Sequence, residues 1–527
     1  MAALALVRPQ LPAPSAYLAA TENFNLLCLQ LQAAKTQQMT HSELENLLAR
    51  EGREVLRLLL QAHLAERAPG QVDLAVVNAD GDRLTQQRTH TRALESVFGT
   101  VSVTRTGYGA PGARSLQPLD AALNLPAERY SHTVRRMAAD AAAQQSYDEV
   151  QQQLAAHTGA HVPKRQIEQL VERAAQDFES FYEQRGSAAV QAATGGATGE
   201  VLVISSDGKG VPLCREDLRP ATQQAAATRQ PRLEHRRSKG EKPHTKRMST
   251  VAAVYTVAPF VRTPEQVAGE LHPHELALPV ARPRPEDKRV WASLAEPLAE
   301  VLRQAFEAAE QRDPSHRKHW CVLVDGHRAQ LAAVQRVAAD YGVQPTIILD
   351  LLHVTEYLWK AAWAFHAEGD TQAEAWVSER LLSILRGRSS EVAAGMRRSA
   401  TLRELSASAR APVDQCADYL LKYRAYLRYD QYLAAGLPIA TGVIEGACRY
   451  LVKDRLERTG ARWRLSGAEA VLRLRSLRAS GDFDEYWDYH LAQEFARTHA
   501  TRYADSRVPL PPPPDSQPPT SHLRLVK

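Results

Sequence analysis

Two short apolar runs in this chain each lead straight into an Asp-Gly pair, so any fold it adopts must set acids beside strand ends twice. Val201-Leu-Val-Ile-Ser-Ser precedes Asp207-Gly-Lys-Gly210, and Cys321-Val-Leu-Val324 precedes Asp325-Gly326-His327. Short runs rich in Val and Ile read as buried strands. Further β-type runs lie at Thr250 to Val257 and Thr346 to Leu349, with helical patterns between the later ones. That alternation predicts an α/β mixed domain. Asp-Gly after a strand is also a common hairpin turn, which is how Asp80-Gly81 reads. After Asp207 and Asp325 no matching strand resumes at once, which weakens that explanation there.

The chain divides around this centre. Residues 1–125 read as an N-terminal helical region with a small β element: apolar helical spacing over 21–68, then alternation at Val101 and Val103. Residues 126–186 read as helical, with a capping box at Ser146-Tyr-Asp-Glu149. The helix it starts should stop near Gly159, and Pro163 suits the first turn of the next, whose Ile167, Leu170, Val171, Ala174 and Phe178 form one stripe. The pair reads either as a plain helical hairpin or as a helix-turn-helix that presents Lys164, Arg165 and Gln166 to DNA. Residues 187–199 are Gly, Ala and Thr rich and read as a linker. The α/β domain should begin at 198–353, be interrupted by a helical insertion at 354–435, and resume at 436–500; the Pro-rich tail, 506–527, should be disordered.

A length of 527 residues suits about three or four domains. The five cysteines form no CxxC pair and no zinc spacing, which fits a reducing, intracellular compartment, expected to be the cytoplasm. No apolar run is long enough for a membrane span, and Ala2 to Val7 is too short for a signal-peptide core. A net charge of +5 is a weak global hint, so the placement of basic residues carries more weight.

A third acid lies in Thr441-Gly-Val-Ile-Glu445-Gly-Ala-Cys-Arg449, on the border of an apolar helical face. The bland reading is a surface Glu445–Arg449 pair worth a few tenths of a kcal/mol. Against it stand Gly442 and Gly446, each costing about 1 kcal/mol in a helix, which points to a close approach there. Three carboxylates of this kind suit Mg²⁺ or Mn²⁺ and phosphodiester chemistry. Asp350, at the end of the 346–349 run, reads as an N-cap or as the true second ligand; we take it as a supporting residue, with His353 hydrogen-bonded to the same site.

Between Arg219 and Arg247 stand nine Lys or Arg and two acids in a background that predicts no packed element. Arg236, Arg237, Lys239 and Lys242 in this loop, with Lys209 beside the first acid, are expected on DNA phosphates. So are Arg449, Lys453 and Arg462 of the basic run that follows Glu445, which also holds Arg455, Arg458 and Arg464. Trp463, between Arg462 and Arg464, reads as a core residue or as a platform for an unpaired base, while Trp291, Trp359 and Trp363 read as core.

Ser-Asp207-Gly-Lys-Gly, Val-Asp325-Gly-His, Asp350-Leu-Leu-His353-Val-Thr-Glu-Tyr-Leu-Trp-Lys and Gly442-Val-Ile-Glu445-Gly-Ala-Cys-Arg resemble the IS-Kra group of bacterial insertion-sequence transposases over roughly residues 130–500. Wider relatives are the Mutator-like DDE enzymes. The resemblance implies a ribonuclease H-like catalytic domain with a helical insertion before the last acid. It implies Asp207, Asp325 and Glu445 as first, second and third acids, and Asp350 to His353 as an accessory acid-x-x-His motif. It also implies binding of terminal inverted repeats, hydrolysis that frees a 3′-hydroxyl, and attack of that hydroxyl on target DNA. A homo-oligomer is expected, since two ends must be brought together. The competing expectations are a non-catalytic DNA-binding descendant and a metal-dependent nuclease that never joins.

Overall fold

A computed structural model of the protein describes residues 15–67, 69–191, 199–228, 244–270, 281–367, 369–458 and 460–511. The chain is of mixed α/β class and divides into two compact units, Met1–Asp177 with Asp484–Lys527, and Phe178–Phe483.

In the first unit, helices Leu18–Gln32 and His41–Glu66 are followed by an antiparallel pair, β1 (Gln86–Ser96) and β2 (Gly99–Gly109). Alternate residues of β2, Val101 and Val103, are buried with Leu64, Leu94, Leu119 and Leu125 in one core, as period-two patterning requires. Asp80-Gly81 lies in a tight turn between bridged Val77 and Arg83, with Gly81 at φ 88°. Helices His132–Ala142, Tyr147–His157 and Lys164–Ala174 pack on one another. Ser146 and Glu149 form the capping box in both directions. Pro163 is the cap residue rather than part of the first turn, because its extended backbone (ψ 148°) precedes the helix. Gly159 is required: a Cβ there would lie 2.4 Å from the Phe98 carbonyl oxygen.

In the second unit five strands form one sheet in the order β5-β4-β3-β6-β7: β3 (Val201–Pro212), β4 (Lys246–Val257), β5 (Glu286–Ser293), β6 (His319–Val324) and β7 (Thr346–Leu349). β3, β4 and β5 are antiparallel neighbours, whereas β6 lies parallel to β3 and β7 parallel to β6. Val201, Leu202, Val203 and Ile204 are all at most 1% exposed, which explains a continuous apolar run in place of alternation. Helix Leu298–Arg312 packs on β3 and β4, and helix Leu465–Ser480 on β5. After β7 the chain is helical at Leu351–Ala362, Thr371–Leu385, Ser389–Leu402, Ala407–Lys422 and Tyr429–Ala434.

Several local expectations change. β3 does not end before Asp207 but carries it opposite Val251 of β4 and runs on to Pro212, since β4 continues to pair with it. β5 was not foreseen. The expected linker is entered by helix Phe178–Gln191, and the basic loop opens with helix Pro220–Ala227, started by a proline in its first turn. Trp291 is buried at 2% exposure, Trp359 is half-buried, and Trp363 is exposed at 43%, so Trp363 is not core. Residues 192–198 of the linker and 512–527 of the tail lie outside the described residues. Among the described residues no helix is long and apolar enough to cross a membrane.

Candidate active site

Strand order sets the acids at one end of the sheet. β3 and β6 pair from Val201–His319 to Ser205–Leu323; past that point the Gln330 side chain stands between the Ser206 carbonyl and the Asp325 amide, so Asp207 and Asp325 lie beyond the paired stretch, at the same end of the two strands. β6 and β7 pair up to Val324–Leu349, and one place further Asp325 comes beside Asp350. Three acids thus lie at, or just past, one end of the sheet.

The loop after β6 is held by side chains the sequence did not single out. Gly326 has φ 87°, a conformation that suits glycine, and its turn lets the His327 amide donate to Asp325 Oδ1 at 2.7 Å. Tyr419 and Tyr423, from helix Ala407–Lys422 and its end, donate their hydroxyls to the carbonyls of Asp325 (3.1 Å) and Gly326 (2.5 Å). Tyr429 donates to the Leu349 carbonyl at the end of β7 (2.7 Å). Buried Gln330 joins β3 to β6: its amide donates to the Ser206 carbonyl and hydroxyl at 2.7 and 2.9 Å, and its oxygen accepts from the Asp325 amide at 3.3 Å. Nothing in a helical apolar pattern marks Gln330, and tyrosines in a helical stretch read only as core.

Glu445 lies on helix Gly442–Ala447, which packs on β3 and β4 and continues as a π-helical stretch, Cys448–Lys453. Such widened turns occur often at functional sites. Three residues beyond Glu445, the Cys448 thiol donates to Asp207 Oδ2 at 3.3 Å, tying this helix to the first acid. Burial, and then the Asp207 charge, push the Cys448 pKa well up, so it remains a protonated donor. Glu445 is exposed, and the bland alternative, a Glu445–Arg449 pair, is not present: the ion pair of Arg449 is a loose one with Asp454 at 3.9 Å. Gly442 has nothing within 4 Å of a built Cβ, and Gly446 only Tyr450 at 3.7 Å, so no protein group makes the close approach expected there.

Asp350 is 1% exposed and accepts four hydrogen bonds. Oδ1 takes the amides of Leu352 (3.2 Å) and Thr441 (3.1 Å); Oδ2 takes the Thr441 hydroxyl (2.7 Å) and His353 Nδ1 (2.9 Å). A carboxylate has about four lone-pair sites, so this one has none left for a cation. Asp350 is thus the N-cap of helix Leu351–Ala362, and its carboxylate is fully engaged by Leu352, His353 and Thr441. Its hydrogen bond raises the His353 pKa above the ordinary value against the opposing effect of burial, with the charges of Asp350 and Asp325 adding to the rise.

Among the described residues no group of three or more His, Cys, Asp or Glu side chains converges to hold a metal ion. Asp207 Oδ1 accepts from the Gly208 amide at 2.6 Å while Oδ2 faces Cys448, and Asp325 Oδ1 faces the His327 amide. The backbone brings hard oxygen donors to one sheet end, where the Asp207 and Asp325 oxygens are engaged by backbone amides and the Cys448 thiol.

Of the expected DNA contacts, Lys164 and Arg165 are exposed at the start of helix Lys164–Ala174 and Gln166 is half-buried; Lys164 pairs with Asp148 at 2.7 Å. Lys209 is half-buried on β3, and Arg449, Lys453 and Arg462 are exposed. Arg236, Arg237, Lys239 and Lys242 lie outside the described residues. Trp463 corrects the stacking expectation: it is 8% exposed, its indole N–H donates to the Leu456 carbonyl at 3.1 Å, and the buried Arg455 guanidinium lies 4.7 Å from its ring centroid. Its backbone bridges Pro212 and Cys214 at the end of β3, which draws the ring inward, and Arg455 is no surface cation.

No protein-family model matches the chain, and comparison with curated proteins finds no similar one.

Proposed function

We propose that this chain is a DDE-type DNA transposase, with a ribonuclease H-like catalytic unit spanning Phe178–Phe483. The observation that carries the proposal is the Cys448–Asp207 hydrogen bond, which ties the first acid to the helix that bears Glu445, with Asp325 just past the end of the neighbouring strand β6. The five-stranded mixed sheet and the helical stretch between β7 and the third acid support the fold assignment, as does the resemblance of the four motifs.

In this reading Asp207, Asp325 and Glu445 are the residues that would hold Mg²⁺ or Mn²⁺. Such an ion, when bound, lowers the pKa of an attacking water or 3′-hydroxyl. Asp350 orients His353 and the head of the Glu445 helix, and Gly442 and Gly446 leave room for a sugar-phosphate backbone beside Glu445. Lys209, Arg449, Lys453 and Arg462 neutralise phosphates, while Lys164, Arg165 and Gln166 engage the terminal repeats in the helix-turn-helix reading. A homo-oligomer brings the two ends together.

A second reading, a DNA-binding protein without catalysis, is favoured by the absence of a gathered ion-holding group among the described residues. The deciding experiment incubates the full chain with a labelled duplex carrying its element's terminal repeat and Mg²⁺ or Mn²⁺, beside Asp207→Asn, Asp325→Asn and Glu445→Gln. Strand-specific cleavage with joined products, lost in all three variants, is the expected result. Cleavage without joining makes the protein a nuclease, and binding without chemistry in every sample supports the second reading.

A further inference from the structure

The first unit contains a cavity of about 380 Å³ whose wall carries four arginines, Arg92, Arg105, Arg114 and Arg502, and a single carboxylate, Asp120. Arg105 and Arg92 are drawn in, with side chains 14% and 17% exposed. Arg105 Nε sits 2.9 Å from Asp120 Oδ1, and Arg92 Nη1 lies 3.7 Å from Oδ2. Arg92 spends its other nitrogen on the carbonyls of Pro126 and Glu128, and Arg502 makes a long bond to the Thr498 carbonyl (3.4 Å). Arg105 Nη1 is buried without a hydrogen-bond partner.

One carboxylate cannot balance four guanidinium groups. The nearby Glu128 is engaged with Arg135 and Arg173, and His499, also in the wall, bonds the Leu125 carbonyl at 2.9 Å. Burial holds Arg92 below the usual arginine range although the Asp120 charge pulls the other way, and burial and then the Arg114 charge do the same to Arg502, so each gains from a further anion beside it. A buried cation that lacks compensation is costly, and guanidinium forks match the oxygens of a phosphate group in paired hydrogen bonds.

We propose that this cavity binds a phosphate group, held by Arg105 and Arg502 with Arg92 and Arg114 around it. The proposal shares no residue with the carboxylate site and stands or falls apart from the transposase reading. The phosphate belongs either to a bound DNA backbone or to a free phosphate or monoester.

Inorganic phosphate is titrated into the full-length protein by calorimetry, with melting temperature followed in parallel against potassium chloride of matched ionic strength. Saturable binding that raises the melting temperature, weakened at least tenfold in Arg502→Gln, is expected. Arg105→Gln should lose binding too, but it uncovers Asp120 and can lower stability, so Arg502→Gln and the exposed Arg114→Gln are decisive. No phosphate signal beyond the chloride control, or equal binding in wild type and both of these variants, overturns the proposal. Competition then names the source: displacement of phosphate by duplex DNA assigns the site to a backbone phosphate, and duplex binding unchanged at saturating phosphate assigns it to a free anion.

Discussion

The Thr441 hydroxyl donates to Oδ2 of Asp350 at 2.7 Å across 91 residues of chain, and the Thr441 amide donates to Oδ1 of the same carboxylate. The head of the Glu445 helix is therefore fastened to the end of β7, and the position of the third acid depends on Asp350.

Asp350→Asn leaves one oxygen to serve four donors. Loss of buried hydrogen bonds of this kind costs about 1–3 kcal/mol, to be read from urea unfolding. Strand joining should fall about ten- to a hundredfold, the usual range for residues that orient ligands, and by less than in Asp325→Asn. An equal or greater loss at Asp350 would return it to the ligand set.

His353 gives a pH signature. Its folded pKa lies above its unfolded value, chiefly through the hydrogen bond to Asp350, so its contribution to stability is complete below the unfolded pKa of about 6.5 and fades as pH rises through the folded pKa. Without metal, the wild-type urea midpoint should decline relative to His353→Gln as pH rises above about 6.5. NMR titration should place the imidazole pKa above the ordinary value in wild type and lower in Asp350→Asn; an unshifted imidazole in wild type would refute the coupling.

Trp463→Leu should act on stability alone. Replacing the buried indole leaves a cavity and removes its hydrogen bond to the Leu456 carbonyl, at a cost approaching the roughly 3–5 kcal/mol of deleting a large buried side chain. A base-stacking residue contributes about 1–3 kcal/mol per base, so its loss would weaken single-stranded DNA affinity about fivefold or more. We expect unchanged affinity where the variant is folded; selective weakening would restore Trp463 to the DNA surface.

Gly442→Ala and Gly446→Ala meet no steric conflict within the protein. Each should hold or raise the unfolding free energy, by up to about 1 kcal/mol, because alanine favours the helix. If nucleic acid approaches this face, both should nevertheless impair strand joining. Full joining activity in both variants would make the open space incidental.

The acids of β3 and β6 were legible because buried parallel strands read as continuous apolar runs and because Gly326 marks the turn beyond Asp325. Asp207 was misplaced locally: the glycines after it suggest a strand end, yet an antiparallel neighbour keeps the strand extended to Pro212. β5 escaped notice because it opens Glu286-Asp-Lys-Arg289 at the sheet edge, where Glu286 and Asp287 are exposed while Arg289 is buried against Tyr182 and Trp291, a charged opening that does not read as a strand. The bonds from Asp350 to Thr441 and from Gln330 to Ser206 were invisible for a different reason. They join residues far apart in the chain, and only the folded sheet brings them together.

The hydroxyls of Tyr419, Tyr423 and Tyr429 grip the backbone just beyond β6 and at the end of β7 from a segment made later in synthesis. As the chain emerges from the ribosome, Asp325 and Asp350 appear well before the tyrosines that brace their loops, and Glu445 appears after them all. A chain that ends before Tyr419 therefore carries Asp325 and Asp350 on segments without these three braces.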